Sequence, residues 1–336
     1  MADWSVHNKC GNADRKCEFM NIVFLEADSL GSDVNLEEFN ELGNVMIYRR
    51  SELLKNRERI READIIVANK IILSADLLSG AKKLKAIALT STGTNVVDFG
   101  YTRSHGITVM NVKDYSTQSV AQHTFALFFY LYEKLNYYDN FVKSGDYAKS
   151  DIFSHFDKKF NEMYGGTWGI IGLGNIGHRV ASIAEAFGMN VIYYSTSGNH
   201  DDPIYERVDF DTLLSKSDVI SIHAPLNEKT RNLVDGNAMA RMKKNCILLN
   251  LGRGSIVNEA DLLQALTQGQ IAGAGLDVLE KEPMSFDNPL LTFKDSTKLI
   301  ITPHIAWATV EARTRCAHEV YLNLKAYLAG ESRNAV

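Results

Sequence analysis

Cysteine is scarce in this sequence. The 336 residues include only four cysteines, at Cys10, Cys17, Cys246 and Cys316. Four scattered cysteines are too few to form a disulfide framework in a chain of this length, which favours a reducing compartment. We therefore expect a cytoplasmic protein.

Positive charge and long apolar runs are lacking as well. Lysine and arginine total 36 against 41 acidic residues, a formal net charge of -5, so no nucleic-acid partner is expected. The most apolar stretch, VAQHTFALFFYLYEKL, contains Gln122, His123, Glu133 and Lys134. It is too short and too polar to span a bilayer, so we predict a buried core helix and no membrane partner.

The first nineteen residues lack the apolar core of a secretory signal. They are polar and precede a second methionine, Met20, which opens the strand-like run MNIVFLEA, so we interpret 1–19 as a polar N-terminal extension. His7, Cys10 and Cys17 lie within it. Three candidate ligands without a fourth at zinc spacing do not make a zinc site, and we predict no metal.

Strand-like and helix-like segments alternate along the rest of the chain. The first series of strand-like runs reads NIVFLEA, VMIYRR, ADIIVANK, KAIALTS and ITVMNV. The second reads WGIIGL, NVIYYS, VISIHAP, CILLNLG, GAGLDV and LIITPHIA, and an aperiodic connector over about 145–165 precedes it. Such alternation predicts an α/β fold with parallel sheets, here two Rossmann-like or flavodoxin-like domains with an active-site cleft between them.

The last helix is predicted to return the chain to the first domain. It runs from about Thr309 to Leu328 and repeats apolar residues near a helical spacing, at Ala312, Cys316, Val320 and Leu324. We assign 20–115 and 306–336 to a discontinuous substrate-binding domain. Residues 116–305 are assigned to a dinucleotide-binding domain.

A glycine-rich turn in the second series predicts a dinucleotide site. The stretch GIIGLGNIGHRVASIAEAFGMNVIYYSTSG, residues 169–198, reads as strand, turn, helix and strand. Gly172, Gly174 and Gly177 supply a tight turn, room for a pyrophosphate and close helix–strand contact, and the helix amino terminus attracts phosphates. Asn175 and Ile176 lie within the same turn and are assigned to the cofactor site.

The second strand of this motif lacks the acid that usually holds the adenine ribose. Ser195 stands there, followed by Thr196 and Ser197. A missing carboxylate removes the repulsion of a 2′-phosphate, but no arginine follows at once to bind one. The next basic candidates are His200 and Arg207. We expect preferential use of NAD, with NADP possible because of Ser195.

Five stretches together resemble the D-isomer-specific 2-hydroxyacid dehydrogenases. They are STQSVAQHTFAL, GLGNIG, LNLGRGSIVNE, GAGLDVLEKEP and ITPHIAWATVEARTR, and they occur in that family's order. The resemblance covers nearly the whole chain from Met20 onward. Within the family, YSTQSVAQHTFAL and the tryptophan of HIAWAT, Trp307, are most similar to glycerate dehydrogenases, also called hydroxypyruvate reductases.

The resemblance implies an NAD(P)-dependent oxidoreductase that reduces a small 2-oxo acid to a D-2-hydroxy acid. Hydroxypyruvate or glyoxylate, giving D-glycerate or glycolate, is the first choice of substrate. D-lactate and 3-phosphoglycerate dehydrogenases are alternatives. A non-catalytic NAD-sensing binding protein, like the corepressors related to these enzymes, also remains open. A homodimer is expected from the resemblance alone.

The resemblance also assigns three catalytic residues. A hydride that arrives at the carbonyl carbon builds negative charge on the oxygen, so the site needs a proton donor and a fixed positive charge. His304 matches the family's acid/base and Glu282 the carboxylate paired with it. Arg253 matches the arginine that binds substrate, since a guanidinium suits a planar carboxylate.

The remaining assignments follow the same resemblance. Three further residues are assigned to the cofactor: Asp277 at the nicotinamide carboxamide, Val120 beside that ring, and Pro225. Four are assigned to the substrate: the N–H groups of Thr92 and Gly93 in the TSTGTN loop, and Asn69 and Lys70 at a strand end.

Overall fold

The computed structural model describes residues 19–199 and 201–336. His7, Cys10, Cys17 and nearly all of the interpreted extension lie outside that part of the chain, and so does His200. The described residues form two compact units. One runs to Ser116 and takes in Ala308–Val336, and the other is Thr117–Trp307. Among the residues described, no helix is long and apolar enough to cross a membrane.

The first unit is built on a five-stranded parallel sheet. Its strands are β1 (Met20–Phe24), β2 (Gly43–Ile47), β3 (Ile65–Ala68), β4 (Ala86–Leu89) and β5 (Thr108–Met110). They lie in the order β2-β1-β3-β4-β5, which is the flavodoxin-like order. Every residue of β3 and β4 is buried, as expected of parallel strands covered on both faces.

Four α-helices accompany this sheet in the described residues of the first unit. They are α1 (Leu53–Arg59), α2 (Ala75–Leu78), α3 (Phe99–Ser104) and α10 (Val310–Leu328). Helix α10 begins after Thr309, whose hydroxyl accepts a hydrogen bond from the Ala312 N–H and so caps the helix. Its predicted apolar face is confirmed, since Ala312, Cys316, Val320 and Leu324 are all fully buried.

The second unit contains a seven-stranded sheet. Its strands are β6 (Thr167–Ile171), β7 (Asn190–Tyr194), β8 (Glu206–Arg207), β9 (Val219–Ile222), β10 (Ile247–Asn250), β11 (Gly273–Leu276) and β12 (Leu299–Ile301). All neighbours are parallel in the order β12-β11-β10-β9-β6-β7-β8. The chain reverses its direction of travel across the sheet between β6 and β9, and ligands of Rossmann folds bind at the carboxyl ends of such strands.

The edge strand β8 was missed by the sequence analysis. It consists of two exposed charged residues, Glu206 and Arg207, and therefore carries no alternating pattern. Its position is set by pairing with β7, where Tyr193 lies opposite Arg207.

Six α-helices accompany the seven-stranded sheet in the described residues of the second unit. They are α4 (Thr117–Tyr132), α5 (Leu135–Lys143), α6 (Asn175–Ala186), α7 (Phe210–Lys216), α8 (Gly236–Ala240) and α9 (Glu259–Gln268). Helix α4 is the predicted core helix and packs on α6, β10 and β11. The rings of Phe125 and Trp168 lie 4.8 Å apart, and Trp168 donates its indole N–H to the Ser221 hydroxyl at 2.8 Å. Removing either ring would cost about 3 to 5 kcal/mol.

Candidate active site

The glycine turn between β6 and α6 has the shape that a dinucleotide requires. Gly172 has φ +92°, and a Cβ there would lie 2.8 Å from the backbone of Ala224, so a side chain is excluded. A Cβ on Gly177 would lie 2.5 Å from the Gly172 carbonyl, so this glycine lets the helix approach the strand. A Cβ on Gly174 would meet nothing within 4 Å. The turn therefore leaves open space at the amino terminus of α6, and a pyrophosphate fits it.

The other predicted cofactor residues lie along the same edge of the sheet. Ser195 follows β7, Pro225 comes soon after β9, and Asp277 follows β11. Parallel strands place all their carboxyl ends at one edge, so these residues and the Gly172 turn share it. Val120 is 5% exposed on α4.

Glu282 and His304 form a close pair. Glu282 Oε2 lies 2.6 Å from His304 Nδ1, and Glu282 Oε1 accepts a hydrogen bond from the Leu279 N–H at 3.0 Å. The carboxylate is thus anchored on one oxygen and orients the imidazole with the other. Because Nδ1 is engaged, Nε2 is the nitrogen available to exchange a proton with a substrate.

His304 has a backbone conformation that is unusual for its residue type. Its φ is +55°, in the left-handed region. The N–H of His304 donates to the carbonyl of Asp277 at 2.8 Å, which ties the strained residue to the residue that follows β11. A residue other than glycine adopts the left-handed region only when the surrounding structure enforces it, and such residues are common at functional sites.

The side chain of Asp277 enforces that conformation. It is 1% exposed, and its Oδ1 accepts from the Thr302 hydroxyl at 2.6 Å and from the Ile305 N–H at 2.8 Å. Its Oδ2 accepts from the Ala306 N–H at 2.8 Å. Asp277 therefore shapes the turn that carries His304, a role that the sequence analysis did not assign to it.

His123 extends this network from α4. Its Nε2 lies 3.0 Å from the Thr302 hydroxyl, and since that hydroxyl donates to Asp277, the imidazole donates to Thr302. Burial lowers the pKa of His123 below its ordinary value, against the opposing effect of the Asp277 charge. The sequence showed His123 only as a polar residue in an apolar helix, and its partner is 179 residues away.

The loop after β10 brings Arg253 to the segment that carries Glu282. A Cβ on Gly254 would lie 1.8 Å from the carbonyl carbon of Leu279, so the two loops are in direct backbone contact. The carbonyl of Arg253 accepts from the Asn250 side chain at 3.0 Å, which fixes the loop to the strand end. Arg253, Glu282 and His304 thus belong to loops at one edge of one sheet.

Glu259 also holds the segment that carries Glu282, and it was missed by the sequence analysis. This side chain is 8% exposed and is the first residue of α9. Its two oxygens accept from the Glu280 N–H and the Asn288 side-chain amide, each at 2.6 Å. The sequence signalled only an acid in a first helical turn. Its partners lie 21 and 29 residues along the chain, so the role depends on the tertiary structure.

The residues predicted to bind substrate in the first unit lie in two ordered loops. The N–H groups of Asn69 and Lys70 each donate to Glu26 Oε1 at 2.6 Å. The carbonyl of Thr92 accepts from the Asn111 side chain, and the carbonyl of Gly93 accepts from the Ser91 hydroxyl, both at 2.8 Å. Their contact with substrate stays a prediction.

Comparison with known proteins places this geometry in context. Residues 125–306 match the family described as D-isomer specific 2-hydroxyacid dehydrogenase, NAD binding domain. A glycerate dehydrogenase of Methylorubrum extorquens is 39% identical over 94% of this chain and 98% of its own length. A hydroxypyruvate reductase of Blautia hydrogenotrophica is 36% identical over 94% of this chain and 99% of its own.

Solved structures share the architecture. An acyclic imino acid reductase in complex with NADPH and D-Arg superposes with a TM-score of 0.84 at 28% identity. The match covers 94% of this chain and 100% of that one.

Proposed function

The chain belongs to the D-isomer-specific 2-hydroxyacid dehydrogenases, and from that premise we propose how its residues divide the reaction. It is an oxidoreductase that uses a nicotinamide cofactor to reduce a 2-oxo acid to a D-2-hydroxy acid. We propose hydroxypyruvate or glyoxylate as the substrate. The names of the glycerate dehydrogenase and hydroxypyruvate reductase relatives support hydroxypyruvate most directly.

His304 is the proposed acid. Its Nε2 would give a proton to the carbonyl oxygen of the 2-oxo acid. A bound nicotinamide would supply the hydride that the carbonyl carbon needs. Glu282 holds the ring through Nδ1, and this 2.6 Å contact is the observation that carries the proposal. In the reverse direction the neutral imidazole takes the hydroxyl proton back.

Arg253 is the proposed substrate anchor. Its guanidinium would bind the planar carboxylate in two places and stabilise the negative charge that grows on the neighbouring oxygen. One of its nitrogens, Nη1, donates to the Gly252 carbonyl at 2.8 Å, which orients the group. Thr92, Gly93, Asn69 and Lys70 are proposed to complete the substrate contacts.

The proposed cofactor site is the edge of the second sheet. The residues that would hold the dinucleotide are Gly172, Gly174, Asn175, Ile176, Gly177, Ser195, Val120, Pro225 and Asp277. The open space beside Gly174 supports this assignment. We further propose that 116–305 bind the cofactor, while 20–115 and 306–336 bind the substrate.

We propose that the enzyme prefers NAD but discriminates weakly against NADP. The hydroxyl of Ser195 can bind an adenine ribose but cannot repel a 2′-phosphate as an aspartate does. Initial rates with NADH and NADPH test this directly. A tenfold preference for NADPH would overturn it.

We propose a homodimer. Large apolar side chains are exposed on α5 and on the connector over 145–165. They are Leu135, Val142, Ile152, Phe153, Phe156 and Phe160. Phe153 is 89% exposed, and exposed apolar groups in such number are typical of an interface. A second copy of the chain is the proposed partner. A monomer mass in sedimentation or light scattering would contradict it.

We also propose a cytoplasmic location. Cys246 and Cys316 are free and buried in the described part of the chain. Thiols kept reduced are typical of that compartment. Fractionation of cells that express the protein would test this.

A panel of 2-oxo acids tests the activity. Loss of NADH absorbance is measured with hydroxypyruvate, glyoxylate, pyruvate and 3-phosphohydroxypyruvate, and hydroxypyruvate or glyoxylate should have the highest kcat/KM. A preference for pyruvate or the phosphorylated acid would select one of the alternative substrates. An absence of turnover with every acid would favour the NAD-sensing binding protein.

A further inference from the structure

The turn after β7 is the place where a 2′-phosphate would meet this protein. Ser195 directly follows β7, is 7% exposed, and accepts through its carbonyl from the Gly198 N–H at 3.2 Å. The hydroxyls of Ser195 and Ser197 lie 3.5 Å apart. Hydroxyl and amide groups therefore line this turn in place of the usual acid.

The two aspartates that follow are both engaged with other groups. Asp202 accepts from the N–H groups of Ile204 and Tyr205 through Oδ1, and its Oδ2 lies 2.9 Å from His178 Nε2. Asp201 is ion-paired with Arg207, at 2.7 Å between Oδ1 and Nη1. Neither carboxylate takes the place of the missing ribose-binding acid.

Arg207 returns to this turn from the neighbouring strand. It lies on β8, opposite Tyr193 of β7, and its Nη2 donates to the Gly198 carbonyl at 2.9 Å. Its side chain remains 35% exposed. The guanidinium is therefore held against the turn that begins at Ser195, although no arginine follows that serine directly in the sequence.

We propose that Arg207 is the residue that binds the 2′-phosphate of NADPH, and that Asp201 weakens this binding because it competes for the same guanidinium. The inference rests on the proposed cofactor site and names the residue that sets its selectivity. A guanidinium has five N–H donors, so Arg207 can keep its bond to Gly198 and still present donors to a phosphate.

The ion pair with Asp201 is easily exchanged for a phosphate. The Asp201 side chain is 84% exposed, and an exposed ion pair contributes little to stability. A phosphate carries more charge and more acceptor oxygens than the carboxylate, so it would displace Asp201. When NADH is bound, Asp201 instead neutralises Arg207, and both cofactors are accepted.

Binding of cofactor fragments tests the inference without any turnover. Calorimetry compares 2′,5′-ADP, which carries the 2′-phosphate, with 5′-AMP, which lacks it, on the full chain. Arg207→Gln should weaken 2′,5′-ADP about tenfold to a hundredfold and leave 5′-AMP unchanged, because only charge-assisted bonds to the phosphate are lost. Asp201→Asn should strengthen 2′,5′-ADP several-fold.

The control is Arg57→Gln, which breaks a similar exposed ion pair, with Asp76 in the other unit. It should change neither fragment's affinity.

The inference is overturned if Arg207→Gln leaves 2′,5′-ADP binding intact, if it weakens the binding of both fragments equally, or if the unaltered protein binds only 5′-AMP. Binding of neither fragment would overturn the proposed cofactor site as well. Selective binding without 2-oxo acid turnover would retain the inference while the proposed reaction fails.

Discussion

Asp277 holds the backbone of His304 directly and also holds the two residues that follow it. The carbonyl of Asp277 accepts from the His304 N–H at 2.8 Å, and its carboxylate accepts from the N–H groups of the next two residues, Ile305 and Ala306. One buried aspartate thus sets the backbone of the proposed acid. The site depends on this carboxylate even before a cofactor binds.

Asp277→Asn should lower both activity and stability. Both carboxylate oxygens of Asp277 accept hydrogen bonds. An asparagine amide would keep one acceptor oxygen, but its NH₂ group would face an N–H or O–H donor in place of the other oxygen. We expect a loss of about 2 to 4 kcal/mol in the free energy of unfolding and about a hundredfold in kcat, because His304 shifts. Denaturant unfolding and steady-state rates measure the two effects. Asp76→Asn, at a side chain that is 90% exposed, is the control and should change neither.

His304 and Glu282 should behave as one unit. His304→Gln is expected to lower kcat by about a hundredfold to ten-thousandfold with little change in KM, because general-acid catalysis is lost. Glu282→Gln should cost less. The double variant should be barely slower than His304→Gln alone, since Glu282 acts through the imidazole. Additive losses in the double variant would show that Glu282 has a separate role.

Gly174→Ala separates cofactor binding from folding. A Cβ at this position meets no atom within 4 Å, so the free energy of unfolding should change by less than about 1 kcal/mol. The methyl group would nevertheless occupy the space proposed for the pyrophosphate, so NADH affinity should fall at least about tenfold. Gly177→Ala is the contrasting variant, because its Cβ would lie 2.5 Å from the Gly172 carbonyl and should destabilise the fold. Unchanged NADH binding in Gly174→Ala would place the pyrophosphate elsewhere.

Stability should decline in mild acid because of His223. Burial lowers the pKa of this histidine to about 3, and both ring nitrogens lack a hydrogen-bond partner among the residues described. The unfolded chain takes up a proton below about pH 6.5 while the folded chain does not, so stability falls as the pH drops from there toward 3.

His223→Leu should remove this dependence. The leucine variant lacks the titrating group, so between pH 7.5 and pH 5 it should lose about 2 kcal/mol less stability than the unaltered protein. Urea unfolding at the two pH values measures the difference. The value at pH 7.5, where the histidine is neutral in both states, is the internal control. Equal losses in both proteins would assign the acid sensitivity to other groups.

Local sequence was sufficient for the apolar strands of both sheets and for the glycine motif at the start of the proposed nucleotide site. Apolar runs such as IIVA of β3 are buried on both faces, and the spacing of Gly172, Gly174 and Gly177 specifies a turn through sterics that act within a few residues. Strand β8 was not predicted, because a pair of charged residues shows no periodicity of apolar positions. The resemblance to a known family added the identities of Arg253, Glu282 and His304.

The sequence by itself determined the two α/β units, the glycine turn and the absence of an acid at Ser195, because these depend on burial patterns and backbone sterics between near neighbours. The tertiary structure alone decided that Glu259 holds the segment that carries Glu282, that Asp277 shapes the turn of His304, and that Arg207 returns to the turn after Ser195. Hydrogen bonds and ion pairs of this kind join residues that only the folded sheet brings within reach.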